Sequence, residues 1–127
     1  MAYLKPPLFV RRVFNPIAMR FVIGGSTTLG VVGRRSGVLQ QVPVIPIEHD
    51  GVRYVVSARG ETDWVKNLRA AGTAKLGGEP IRVTEVPVGE RPPILETYKA
   101  VAGRAVASLF KQLPEPGDHP VFRIERA

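Results

Sequence analysis

Gly33-Arg34-Arg35-Ser36-Gly37 stands between two apolar runs, Leu29–Val32 and Val42–Ile47. An apolar run, a short glycine-bounded polar stretch and a second apolar run read as strand, tight turn, strand. The two glycines permit positive φ angles that other residues resist. Arg34 and Arg35 add two guanidinium forks, and Ser36 adds a hydroxyl and a backbone N–H. Such a turn offers several donors to one anion, most naturally a phosphate. Taken alone, it reads equally well as an ordinary hairpin turn with solvated arginines.

The residues before the turn are basic. Residues 6–23 read as helical in two pieces, the first opened by Pro6-Pro7 and the second capped by Asn15 with Pro16 at its first position. Leu8, Phe9, Val13, Phe14, Ile17 and Phe21 give it an apolar side, with Arg11, Arg12 and Arg20 among them. Two readings stand: a helix lying over a barrel mouth, or a basic amphipathic segment touching anionic lipid. The net charge of +7 is concentrated in this half: Lys5, Arg11, Arg12, Arg20, Arg34 and Arg35 all precede the first acid, Glu48. The excess predicts an anionic partner. Nucleic acid fits least well, because no helix-turn-helix or zinc finger is recognisable and the bases are not interleaved with aromatics. The absence of cysteine removes disulfides, thiolate metal sites and cysteine nucleophiles. His49 and His119 have no partner histidine at metal-ligand spacing, so no metal is expected and both are read as surface or loop residues.

After the turn, Gln40–Glu48 reads as one strand, with Pro43 and Pro46 placing it at an edge or bulge. Asp50-Gly51 marks a hairpin into a strand over Val52–Ala58. Thr62 or Asp63 caps a helix that stops before Gly72, with Trp64, Leu68 and Ala71 on one face and Asn67 beside them. Thr73–Leu76 and Ile81–Val88 bracket a Gly77-Gly78 hairpin. One helix is expected from about Pro92 to Leu113, only slightly weakened by Gly103, and a last strand at Val121–Glu125. With Thr27–Val32 this makes about six short strands with helices between them. The expected fold class is α+β: a small, mostly antiparallel barrel in one domain over residues 1–127, decorated by helices.

The order GRRSG, Pro43, Ser57-Ala58-Arg59-Gly60, then Trp64-Val65-Lys66-Asn67-Leu68 resembles the deazaflavin-dependent nitroreductase family, the split β-barrel oxidoreductases that use coenzyme F420. The resemblance covers roughly residues 15–77 and, more loosely, Pro120–Arg123. It implies a split β-barrel and a coenzyme with two anionic parts, a phosphodiester and an oligoglutamate tail. By that likeness Arg34, Arg35, Ser36 and Gly37 grip the phosphate. Arg59, before Gly60, holds tail or phosphate, with Ser57 and Ala58 at the deazaflavin edge. Trp64 and Asn67 lie beside the coenzyme, and Pro43 shapes the strand beneath the ring. Where the family often has an arginine near position 40, this chain has Gln40 and Gln41; one tail or phosphate contact is expected to be lost here, or replaced by amide hydrogen bonds. The family's C-terminal substrate tyrosines reduce here to Tyr98, a catalytic candidate that otherwise reads as core.

A hydride carrier brings its own chemistry, so the absence of a nucleophile–base–acid constellation is expected. The resemblance implies a reductase that passes a hydride from reduced F420 to an activated double bond, a quinone or a similar small electron acceptor. A non-catalytic F420 carrier and an FMN-dependent enzyme on the same barrel are the alternatives. A cytoplasmic location is expected, or a peripheral one at the inner membrane face through the N-terminal segment.

Overall fold

The structure, a computed structural model, describes residues 26–127. The basic helical segment expected at 6–23 lies outside the described residues. Among them seven strands form one sheet: β1 (Thr27–Val32), β2 (Leu39–Val44), β3 (Ile47–His49), β4 (Val52–Val56), β5 (Thr73–Leu76), β6 (Glu79–Glu85) and β7 (Val121–Arg126). Their order is β2-β1-β5-β6-β7-β4-β3, and every neighbouring pair is antiparallel. Among the described residues, three α-helices accompany them: α1 (Asp63–Ala71), α2 (Arg91–Ala102) and α3 (Arg104–Gln112).

The order of the strands dictates the shape. β2 and β3 occupy opposite edges of the sheet, yet only Ile45-Pro46 separates them in the chain. In a flat sheet of seven strands those edges would stand roughly 29 Å apart. Three consecutive peptide steps span at most about 11 Å. The sheet therefore curls until its edges approach, which makes it a split β-barrel. The single strand expected over Gln40–Glu48 is thus two strands, and the strand count is seven rather than six. Pro46, which lacks a ladder donor, stands at the corner where the chain leaves one edge and joins the other.

Two hairpins form where the glycine pairs predict them. Asp50 and Gly51 both take positive φ, 51° and 78°, and so do Gly77 and Gly78, 58° and 87°, as the right-handed twist of the flanking strands favours. The helix expected from Pro92 to Leu113 is interrupted. Gly103, at φ 59° and ψ −133°, divides it into α2 and α3, a conformation essentially closed to residues with a Cβ.

The interior has two apolar clusters. In the first, Leu29, Val31, Val55, Ile81 and Phe122 of the barrel meet Val65 and Leu68 of α1, with Trp64 packed at the margin. The buried stripe of α1 centres on Val65 and Leu68, while Ala71, expected on that face, is exposed. In the second, Ile45, Ile47, Val56 and Val121 meet Ile94, Leu95, Tyr98 and Val106 of α2 and α3. His49 is half-buried, with its ring against the Thr97 hydroxyl at 2.8 Å. His119, expected at the surface, has 0 % exposure. Its ring stacks on Phe110 of α3 and both its nitrogens reach backbone carbonyls, partners that no local pattern announces.

Candidate functional site

The arginine turn closes on itself. The Gly33 amide donates to the Val38 carbonyl at 2.9 Å, and the Gly37 amide to the Gly33 carbonyl at 3.0 Å. The Val38 amide donates to Ser36 Oγ at 3.2 Å. Glycine is needed at both ends for different reasons. Gly37 has φ 70°. A Cβ on Gly33 would lie 2.7 Å from Ser36 Oγ and 3.2 Å from Gln40 Nε2. The same figures show the Gln40 side chain folded back over the turn. Arg34, Arg35, Ser36 and Gly37 are exposed, as is Pro43, which pairs with Thr28 on the sheet edge.

The turn is fastened to α1 by one residue. Asn67, 3 % exposed, accepts at Oδ1 from the Arg34 backbone amide at 3.0 Å and from Arg34 Nη1 at 2.8 Å. Arg34 Nη2 also lies 3.8 Å from Asp63 at the start of the helix. Two motifs thirty-three residues apart in sequence thus meet directly. Once Oδ1 holds both Arg34 donors, the carboxamide acts chiefly as a tether for the turn.

The second basic element, Ser57-Ala58-Arg59-Gly60, leaves the end of β4 and enters α1. It is built inward. Ser57 is buried and its hydroxyl donates to the Gly60 carbonyl at 2.6 Å. The Ser57 amide donates to Pro120 O, and its carbonyl accepts from His119 Nδ1, both at 2.9 Å. Gly60, at φ 87°, turns the chain, and its carbonyl also receives the Thr62 amide. Ala58 and Arg59 are half-buried.

Glu61 extends this loop into a charge network. It is 7 % exposed and accepts from Arg69 Nη1 and Nη2 at 2.8 and 2.9 Å. Arg69 bonds Glu85 as well, at 2.7 and 2.9 Å. The hydrogen bonds from Arg69 hold the Glu61 carboxyl below the usual carboxylate range, against the opposing effect of burial. The two carboxylates in turn hold the Arg69 guanidinium firmly protonated.

Thr62 forms the N-cap of α1 but makes no side-chain capping bond. Its hydroxyl is buried without a hydrogen-bond partner, an uncommon state for a buried polar group. It directly follows the second loop and precedes Asp63 and Trp64. Sequence reasoning treated Thr62 only as a cap; the orphaned hydroxyl is a tertiary fact. The Glu61–Arg69 pair and His119 were likewise missed, because their partners are distant in sequence.

Trp64, half-buried, sits on the same helix as Asn67. The arginine turn, Asn67, Trp64 and the Ser57–Gly60 loop therefore gather around α1. Tyr98 belongs elsewhere: it lies in the second apolar cluster, its ring 6.1 Å from that of Phe110. Burial pushes its phenol up to about 12.

Residues 8–92 match the family model described as F420H(2)-dependent quinone reductase. Among solved structures, an F420-H2 dependent reductase, FDR-A, aligns over 82% of this chain and 96% of its own, with a TM-score of 0.59 and 21% identity. The Agrobacterium tumefaciens protein Atu2129, of unknown function, aligns over 97% of this chain and 56% of its own, with a TM-score of 0.59 and 18% identity. A NimC/NimA family protein from Clostridium acetobutylicum aligns over 78% and 72%, with a TM-score of 0.51 and 14% identity. At these identities the structural likeness is one of fold. No curated protein matches the chain.

Proposed function

The chain belongs to the F420H(2)-dependent quinone reductase family and is an F420-dependent reductase; from that premise we propose that it reduces a quinone or a similarly activated small acceptor. Bound in its reduced form, the coenzyme supplies the hydride. The protein's share is to bind the anionic arm, orient the ring and exclude water.

The residues present suit such a ligand. Arg34, Arg35 and Ser36 offer charge-assisted donors to a phosphate, and the guanidinium fork matches phosphate geometry. Arg59, on the second loop, would hold the acidic tail or the phosphate. Gly37 and Gly60 set the backbone of the two loops, and Gln40 stands in place of a further base. Ser57 contributes through the loop's shape, since its hydroxyl is already donated to Gly60. The unpartnered Thr62 hydroxyl gives a bound ligand a polar contact that the protein itself leaves unmet. Trp64 offers a flat apolar face for the ring, with Pro43 on edge strand β2, while Ala58, expected at the ring's edge, packs against the second apolar cluster. Tyr98, held protonated in the second core, is assigned to packing.

The observation that carries this reading is the double hydrogen bond from Arg34 to Asn67. It fixes the cationic turn beside the indole-bearing helix, so a ligand's charged arm and its ring can be held at once. The test is a titration of the purified chain with oxidised coenzyme F420 and with FMN, followed by Trp64 fluorescence. Oxidation of the reduced coenzyme by menadione, cyclohexenone and a nitroaromatic is then measured. Selective F420 binding with turnover of menadione is expected. Tight FMN binding with none of the deazaflavin overturns the proposal. Binding without turnover of any acceptor replaces it with a carrier.

A further inference from the structure

His119 is fully buried and no step above employs it. Its Nδ1 lies 2.9 Å from the Ser57 carbonyl oxygen, and its Nε2 lies 2.5 Å from the Leu113 carbonyl oxygen. Carbonyl oxygens only accept hydrogen bonds. A neutral imidazole carries one N–H, so it can satisfy one of these carbonyls and must turn a lone pair on the other. Imidazolium carries two N–H donors and satisfies both. The ring also lies flat on Phe110, with centroids 3.9 Å apart and planes 13° from parallel, and an aromatic face attracts a cation.

The neighbouring charges divide. Arg91 of α2 donates Nη1 to the His119 carbonyl at 3.4 Å and to the Pro116 carbonyl at 3.2 Å, and it opposes a second cation. Glu85 of β6 offsets Arg91, pairing with it at 3.2 Å. Lys99 of α2 stands 5.3 Å from the Phe110 centroid and competes for that ring. The Tyr98 ring lies 6.1 Å from that of Phe110, and burial keeps its phenol neutral. Asp118 adjoins His119 in the chain, with Glu115 at the start of the same short helical turn. Full burial and the Arg91 guanidinium oppose the charged form, and the two acceptor carbonyls favour it.

We infer that His119 is a positioning residue in its doubly protonated form, clamping the Ser57 carbonyl to the C-terminal end of α3 and so fixing the Ser57–Gly60 loop. Loss of one proton as pH rises breaks one of the two bonds and loosens the loop. The link to catalysis rests on the reading above, in which Arg59 of that loop holds part of the coenzyme. Coenzyme affinity then falls with rising pH by about three- to tenfold, the size of one net hydrogen bond.

The test has two arms on the full chain. In the first, ring-nitrogen NMR is recorded across the range in which imidazoles titrate, with His49→Gln leaving a single histidine. Two protonated ring nitrogens, converting to one while the Ser57–Gly60 amides shift on the same curve, are expected. A one-proton tautomer throughout, or loop amides indifferent to the ring, overturns the inference. In the second arm, coenzyme F420 affinity is followed against pH in the unaltered chain and in His119→Gln. The pH-dependent loss should vanish in the variant; the same profile in both overturns the inference. Absence of any coenzyme binding overturns the reading of the site instead, and the clamp is then decided by the first arm, which needs neither coenzyme nor variant at His119.

Discussion

The Arg34–Arg35 turn and the Ser57–Gly60 loop look alike in sequence. Each follows a strand and each sets arginine beside glycine. The fold treats them differently. The turn closes its backbone on itself, leaves Arg35 and Ser36 exposed and is fastened to the helix through Arg34. The loop is tied to β7 by Pro120, to α3 through His119, to itself by Ser57, and to α1 and β6 through Glu61 and Arg69. One region displays charge, the other holds a shape. A polyanionic ligand needs both, since exposed charges attract it without ordering it and a rigid loop orders it at little further entropic cost.

The largest break in that comparison should come from Asn67→Leu. The substitution keeps the branched shape and heavy-atom count, at greater bulk, but strips the acceptor from the Arg34 amide and guanidinium. Leaving such donors unmet costs about 2 to 3 kcal/mol. A lower urea midpoint and a lost affinity for coenzyme F420 are expected together. Preserved affinity with lowered stability would show that the turn finds the ligand unaided by its tether.

Glu61→Gln should come next, because it loosens the shaped loop and leaves the turn alone. The loss of stability at neutral pH should be about 1.5 kcal/mol, as one charge-assisted contact to Arg69 goes while Glu85 keeps the other. The acid limb should change in a defined direction. The folded chain holds the Glu61 carboxyl below its ordinary value of 4.5, so the unfolded chain takes up the proton first. That contribution is present above the unfolded value and lost as pH falls through the folded one. Urea midpoints measured down this acid range should therefore fall less steeply in the variant than in the unaltered chain.

The difference between the two regions also marks what a sequence reveals. Features fixed by neighbours were legible: β1 at Thr27–Val32, the start of α1 at Thr62 or Asp63 and its stop at Gly72, and both positive-φ hairpins. Features fixed by distant partners were not. Pro46 signals a break in a strand, but nothing local says that the chain resumes on the opposite edge. Gly103 reads as a mild weakness in a helix until its own backbone angles divide it. His119 looks like a loop histidine because its partners, Ser57 and Leu113, come together only when β4, β7 and α3 assemble. The same holds for the site: GRRSG and Trp-x-x-Asn are visible as motifs, whereas the bond between Arg34 and Asn67 is made by the fold.

Arg35→Ala sharpens the contrast from the side of charge. Arg35 is exposed, so stability should stay within about 0.5 kcal/mol of the unaltered chain. Coenzyme affinity should weaken by about 1 kcal/mol, and the deficit should shrink as salt is added, because exposed charges are screened. Arg35→Lys should recover part of it, the point charge without the two-pronged fork. A salt-independent deficit would mean that the turn contributes shape after all.

The smallest effect is expected from Gln40→Arg, which supplies the base that the resemblance places near this position. Gln40 lies on the exposed edge strand β2, and its amide folds over the turn near Gly33. An arginine there has room to point outward and should leave stability unchanged. As one more surface charge opposite a ligand phosphate it should tighten coenzyme binding by about 0.2 to 1 kcal/mol, removable by salt. The sign of the change is the informative part. A gain keeps the turn as a display of charge to which more can be added. A loss, with the urea midpoint lowered, would mean that the Gln40 amide braces the Gly33–Ser36 approach, and that the turn, like the loop, depends on a shape held from outside it.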